Sequence, residues 1–128
     1  MDFEIPHYPR TLHLEGSRCL PGQSDPEHTP ISALFGKHVV IEEKLDGTQL
    51  GIGYSDTPEL RVFSRNTFID PGTKEFAPLW PWLARNESKL FDILGTRYIM
   101  YAEWMHARHT IPYNYLPAWF LEDDVWDR

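Results

Sequence analysis

One cysteine, Cys19, is the entire thiol content of the 128-residue chain. It can close no internal disulfide and has no second thiolate with which to build a metal centre, which fits a reducing compartment. No apolar run approaches the ~18 residues of a membrane span. The N-terminal Met1-Asp2-Phe3-Glu4 is acidic and leads into no apolar segment, so it does not read as a secretory leader, and the cytoplasm is the expected location. Positive charge is scarce as well. The net charge is −7, and the segments differ: three cations face seven carboxylates over residues 1–43, eight face eight over 44–110, and one faces four over 111–128. No stretch can bind a polyanion on charge alone, so any nucleic-acid contact is expected to rest on a few placed cations or on chain outside this sequence. No internal repeat or low-complexity tract is present.

What is present belongs to a globular chain. A hydrophobic fraction of 41% with 24% charged residues excludes a low-hydropathy disordered segment. The length suits one domain, or part of one, with little room for a second core. Eleven prolines, eight glycines and 14% aromatics argue against a helical bundle and for strands and loops.

Residues 19–31 hold three prolines among other turn formers and read as a loop. Val39 to Lys44 is β-branched and then charged, and Asp46-Gly47 signals a turn. Leu50, Ile52 and Tyr54 then alternate with Gln49, Gly51 and Gly53. The pattern predicts two antiparallel strands joined near Gly47. Leu60–Ser64 reads as a third strand. Phe76, Leu79, Trp80, Leu83, Leu90 and Leu94 recur at helical spacing, with Pro78 and Pro81 holding the helix start near 79 and Gly95 ending it. Residues 97–104 and 119–126 read as two further strands. Segregated strands and helix point to an α+β fold.

Four constellations could carry chemistry. Glu43-Lys44-Leu45-Asp46-Gly47 puts a lysine at a strand end, against a turn, with carboxylates on both sides. Desolvation there could give the neutral amine a nucleophile needs; an exposed hairpin lysine in local ion pairs fits the same five residues. Ser64-Arg65-Asn66 offers a guanidinium suited to bidentate phosphate or carboxylate contact, or simply a solvated strand end. Tyr101-Ala102-Glu103-Trp104 embeds a carboxylate in an apolar strand, where it must meet solvent, a cation or a ligand because unpaired burial is costly. A ribose-hydroxyl acceptor, a metal ligand and a surface Glu all remain open for it. Phe120 to Arg128 sets four carboxylates among aromatics, a magnesium site or a solvated face. His106 and His109 lack a third ligand for zinc.

Taken in order, these stretches resemble the RNA ligase family of covalent nucleotidyltransferases, in its T4 RNA ligase 2-like branch. Tyr8 to Arg18 resembles the family's N-terminal segment and Glu42-Glu43-Lys44-Leu45-Asp46-Gly47-Thr48-Gln49 its nucleotidyl-lysine motif I. Ser64-Arg65-Asn66 is similar to motif Ia, Tyr98 to Trp104 to motif III, His109 to Pro117 to the loop that follows it, and Phe120 to Asp127 to motif IIIa. DNA ligases and capping-type enzymes share the lysine motif, but Arg10 to Leu14 and Glu103-Trp104 look more like RNA ligases. The resemblance implies an antiparallel-sheet, ATP-grasp-like adenylation domain. It implies Lys44 as the nucleophile toward ATP, with Mg²⁺ or Mn²⁺ present, and an RNA end or nicked duplex RNA as the acceptor of AMP. Glu43, Gly47, Gln49, Arg65, Glu103 and Phe120 are then the nucleotide-binding residues, Glu103 doubling as a metal ligand. Two positions depart from the pattern: Gln49 stands where Asn is common, and Asp123 where an aromatic would stack on adenine, a role left to Phe120 or Trp126. The family's motif IV glutamate and motif V lysines would lie beyond Arg128, so the expected unit is a partial domain, weak or inactive by itself, with a non-catalytic nucleotide- or RNA-binding remnant as the alternative.

Overall fold

The computed structural model describes residues 3–18, 27–107 and 109–128. Cys19 and most of the predicted 19–31 loop lie outside the described residues. The chain forms two compact units, residues 8–44 and residues 1–7 with 45–128.

The larger unit is a four-stranded antiparallel sheet with one α-helix. Its strands are β3 (Thr48–Tyr54), β4 (Leu60–Phe63), β5 (Tyr98–Trp104) and β6 (Phe120–Asp127), in the spatial order β4-β3-β5-β6. Helix α1 (Leu79–Leu94) crosses between β4 and β5. It starts and stops as its prolines and glycine dictate: Pro78 precedes it, Pro81 sits in the first turn where no backbone donor is needed, and Gly95 adopts φ +51° while its N–H bonds Phe91 O.

Strand alternation sorts the two sheet faces. Leu50, Ile52 and Tyr54 of β3, Val62 of β4 and Trp104 of β5 pack with Leu79, Leu83, Leu90 and Leu94 of α1 into one core. Trp104 Nε1 donates to Glu75 O, and the Tyr54 hydroxyl donates to Glu87 O. Burial, and then the charge of Glu87, raise the Tyr54 phenol above its ordinary pKa. On the other face Phe63 and Tyr101 meet edge to face, and the Phe3 ring lies beside Phe63. Gly51 sits opposite Phe63, where a Cβ would come within 2.2 Å of the ring, so glycine lets the aromatic lie across the strand. Strand β6 is bulged opposite Tyr101/Ala102, leaving Asp123 as the extra residue.

The predicted strands 60–64, 97–104 and 119–126 and the helix agree with the structure within a residue or two. The predicted strand over Val39–Lys44 does not form, and the hairpin at Gly47 with it. Both edges of β3 are occupied by β4 and β5, and Val39, Val40 and Ile41 are 47%, 75% and 92% exposed. Branched side chains favour a strand only where a sheet covers them.

In the 8–44 unit, β1 (His13–Leu14) pairs in parallel with β2 (His28–Thr29), and a 3₁₀ turn spans Ile31–Leu34. Glu15 Oε1 accepts the Ile31 N–H. All buried residues among those described belong to the larger unit, in keeping with a single core. No helix among the described residues is long and apolar enough to cross a membrane.

Candidate functional site

A cleft of about 320 Å³ opens on the larger unit. It is built from three pieces of chain: Gly47, Thr48 and Gln49 at the start of β3, Ser64 to Thr67 at the turn that follows β4, and His109 from the loop after β5. Among the described residues no carboxylate lines it, and Arg65 supplies a fixed positive charge.

Each piece is held by identifiable bonds. The 64–67 turn is closed by Ser64 N–H to Thr67 O and by Ile69 N–H to Val62 O, which projects Arg65 and Asn66 at its tip. Gly47 is bonded to β5 through its N–H, which donates to Glu103 Oε2 at 3.2 Å. A Cβ at this position would lie 2.6 Å from both Trp104 O and Met105 Sδ, so the approach requires glycine. Glu103 pairs in register with Gln49 across β3 and β5 and is half-buried.

Asp46 fixes the loop after β5. Its Oδ2 accepts the N–H groups of Thr110 and Ile111 at 3.1 and 3.3 Å, and its own N–H donates to the Tyr113 hydroxyl at 2.9 Å. His109 is thereby delivered to the cleft, where Nε2 lies 3.0 Å from Thr48 Oγ1; the same hydroxyl donates to Glu75 Oε1 at 2.7 Å. Asp46 and Thr48 lie inside the lysine motif, and His109 in the loop that follows motif III. Glu75 had no signal in the sequence, because a carboxylate between Lys74 and Phe76 looks like any exposed acid before a helix.

The sequence-predicted residues distribute as follows. Gly47, Gln49 and Arg65 line the cleft, and Glu103 borders it through Gly47. Glu43 and Lys44 are exposed, lie in backbone without regular structure and end the 8–44 unit. Phe120 lies on the helix side of the sheet: it is opposite Trp104, and its ring stacks on Trp82 with centroids 4.6 Å apart. The residue opposite Glu103 is Leu121. Trp126, opposite Ile99, donates its indole N–H to Asp124 Oδ2. Among the described residues no three metal-ligating side chains gather. His106 meets the rings of Trp104 and Trp119, whereas His109 bonds Thr48.

A small antiparallel α+β unit with a polar cleft, assembled where a lysine motif meets the strand after it, is an architecture suited to nucleotidyl transfer. The chain belongs to the RNA ligase family, whose model matches residues 37–128. No curated protein and no solved structure matches it.

Proposed function

We propose that this chain is the adenylylating part of an ATP-dependent RNA ligase of the T4 RNA ligase 2-like branch, on the nucleotidyltransferase fold, with Lys44 as the nucleophile. One observation carries the reading. Gly47, Gln49 and Arg65, drawn from two separate motifs, line one cleft, and Glu103 of a third motif bonds Gly47 at its edge. Lys44 is three residues before Gly47, so covalent reach alone keeps their Cα atoms within about 11 Å.

The reaction balances on these groups. The neutral Lys44 Nζ attacks the α-phosphorus of ATP, a P–N bond forms, the P–O bond to the β-phosphate breaks, and pyrophosphate departs while the amine gives up a proton. An RNA 5′-phosphate oxygen then takes AMP from the lysine, and a 3′-hydroxyl displaces AMP to join the strands. Arg65 contacts the ribose or the RNA end, Gln49 and Glu43 the adenosine, and Glu103 the ribose hydroxyl. When bound, Mg²⁺ would offset charge on the triphosphate, and Glu103 is the residue of this chain that would hold it.

The test is intact mass after incubation with ATP and Mg²⁺. As a partial domain the chain should react weakly by itself, so the comparison is between variants: whatever AMP adduct the native chain forms should persist in Lys37→Ala and Lys89→Ala and be absent in Lys44→Ala. Nucleotide binding without any adduct would favour a non-catalytic remnant, and an adduct retained in Lys44→Ala would overturn the assignment of the nucleophile.

A further inference from the structure

The bonding around His109 fixes more than its position. An ionised carboxylate only accepts hydrogen bonds, so at 2.7 Å from Glu75 Oε1 the Thr48 hydroxyl spends its one proton there. Thr48 Oγ1 is then an acceptor toward the ring nitrogen 3.0 Å away, and His109 Nε2 must be the donor. This holds in both charge states of the imidazole. The proton that comes and goes is therefore the one on Nδ1, and titration converts His109 from a neutral ring with an Nδ1 acceptor into a cation with donors on both nitrogens.

The ring lines a cleft that holds Arg65, the hydroxyls of Thr48, Ser64 and Thr67 and the Asn66 amide, and among the described residues no carboxylate. Among the described residues four charged groups bear on it, Glu103 at the border of the cleft being one. Glu75 acts from beyond Thr48 on the helix side, Arg65 faces it within the cleft, and the Asp46 carboxylate is occupied by the backbone of residues 110 and 111.

We propose that His109 is a proton-dependent contact for the polyphosphate chain of the nucleotide. As the imidazolium it donates from Nδ1 to a phosphoryl oxygen beside Arg65, with Thr48 and Glu75 as positioning residues that hold Nε2. The proposal rests on the ligase reading for the identity of the polyphosphate and adds a residue and a pH dependence to it.

The probe is inorganic tripolyphosphate without metal, on the full chain, with the imidazole nitrogens followed by NMR. Free protein should show the Nε2–H tautomer at high pH. Tripolyphosphate should raise the His109 titration midpoint, because a ligand that prefers the protonated form stabilises it. His109→Gln should weaken binding about tenfold at pH 6, the loss of one charge-assisted hydrogen bond. It should leave binding at pH 8.5 unchanged. Thr48→Val, which keeps shape and removes the acceptor, should release the tautomer preference and lose part of the pH 6 advantage, with Thr48→Ser restoring both. An unmoved midpoint, or equal losses at both pH values in His109→Gln, overturns the proposal even if Lys44 takes up AMP. A shifted midpoint in a protein that forms no adduct with ATP and Mg²⁺ supports the His109 contact and favours the non-catalytic remnant over the adenylylating reading.

Discussion

Gly47 gives its backbone N–H to the Glu103 carboxylate at 3.2 Å, which joins the lysine motif to the middle of the sheet through an atom that every amino acid but proline possesses. What is special to glycine is the space: a methyl group would stand 2.6 Å from the Trp104 carbonyl, a backbone atom that cannot turn aside. Gly47→Ala should therefore destabilise the larger unit by about 1–3 kcal/mol, the usual cost of forcing an extra carbon into a filled site. Urea unfolding would measure it, and a midpoint equal to the native one would show that the β3 entry can move away from β5 freely.

Asp46 holds the 109–113 loop through two accepted N–H groups and one donated one. Removing the carboxylate in Asp46→Ala should cost about 1–2 kcal/mol locally. The effect should appear in hydrogen exchange, with the amides of Thr110 and Ile111 exchanging about tenfold faster while those of β3 and β5 hold their rates. Asp46→Asn keeps one acceptor oxygen and should recover most of the protection.

Arg97 and Asp127 close the far end of the β5–β6 pair, Arg97 Nε donating to Asp127 Oδ1 at 2.9 Å. The Arg97 hydrogen bond, reinforced by its charge, holds the Asp127 carboxyl below its ordinary pKa. A carboxyl depressed in the folded state adds stability that is present above the unfolded value near ~3.9 and is lost as pH falls through the lower folded value. Arg97→Gln should bring the Asp127 midpoint back toward ~3.9 and flatten the acid limb of the stability curve. A carboxyl-carbon NMR titration reads both directly. Both side chains are more than half exposed, so high salt should shrink the difference.

Elements that bury one face were legible before any coordinates. The β3 alternation of Leu50, Ile52 and Tyr54 against Gln49, Gly51 and Gly53 and the α1 spacing of Leu79, Leu83, Leu90 and Leu94 are direct prints of the core. The Val39–Lys44 run misled because composition carries no information about whether a sheet edge is vacant, and β3 has none. The two-residue β1 and β2 pairing was too short to leave a periodic trace. At the cleft, Gly47, Gln49 and Arg65 were legible as motifs. The Thr48–Glu75 and Asp46–Ile111 bonds span 27 and 65 positions, and no local pattern encodes a bond of that separation.

The aromatic of the last strand tests how far motif order can be carried over. Phe120 was a candidate for stacking on adenine, yet its ring is stacked on Trp82 on the helix side, while Arg65, Gln49 and Glu103 belong to the cleft and its border. The bulge in β6 lies C-terminal to Phe120, between the partners of Ala102 and Tyr101, so it leaves the Trp104–Phe120 pairing in phase with the core. A ring stacked on a core neighbour is expected to contribute to stability rather than to nucleotide affinity. Phe120→Ala should accordingly lower the unfolding free energy by about 2–3 kcal/mol, less than the ~3–5 of a fully buried phenylalanine because the residue is half-buried. Measured well below the variant's own melting temperature, where it remains folded, its ATP affinity should stay within twofold of native. Phe120→Leu, which keeps most of the apolar contact against Trp82 and removes the ring, should recover stability and leave affinity unchanged. A tenfold loss of ATP affinity in a well-folded Phe120→Leu would show that the ring leaves Trp82 to meet the base.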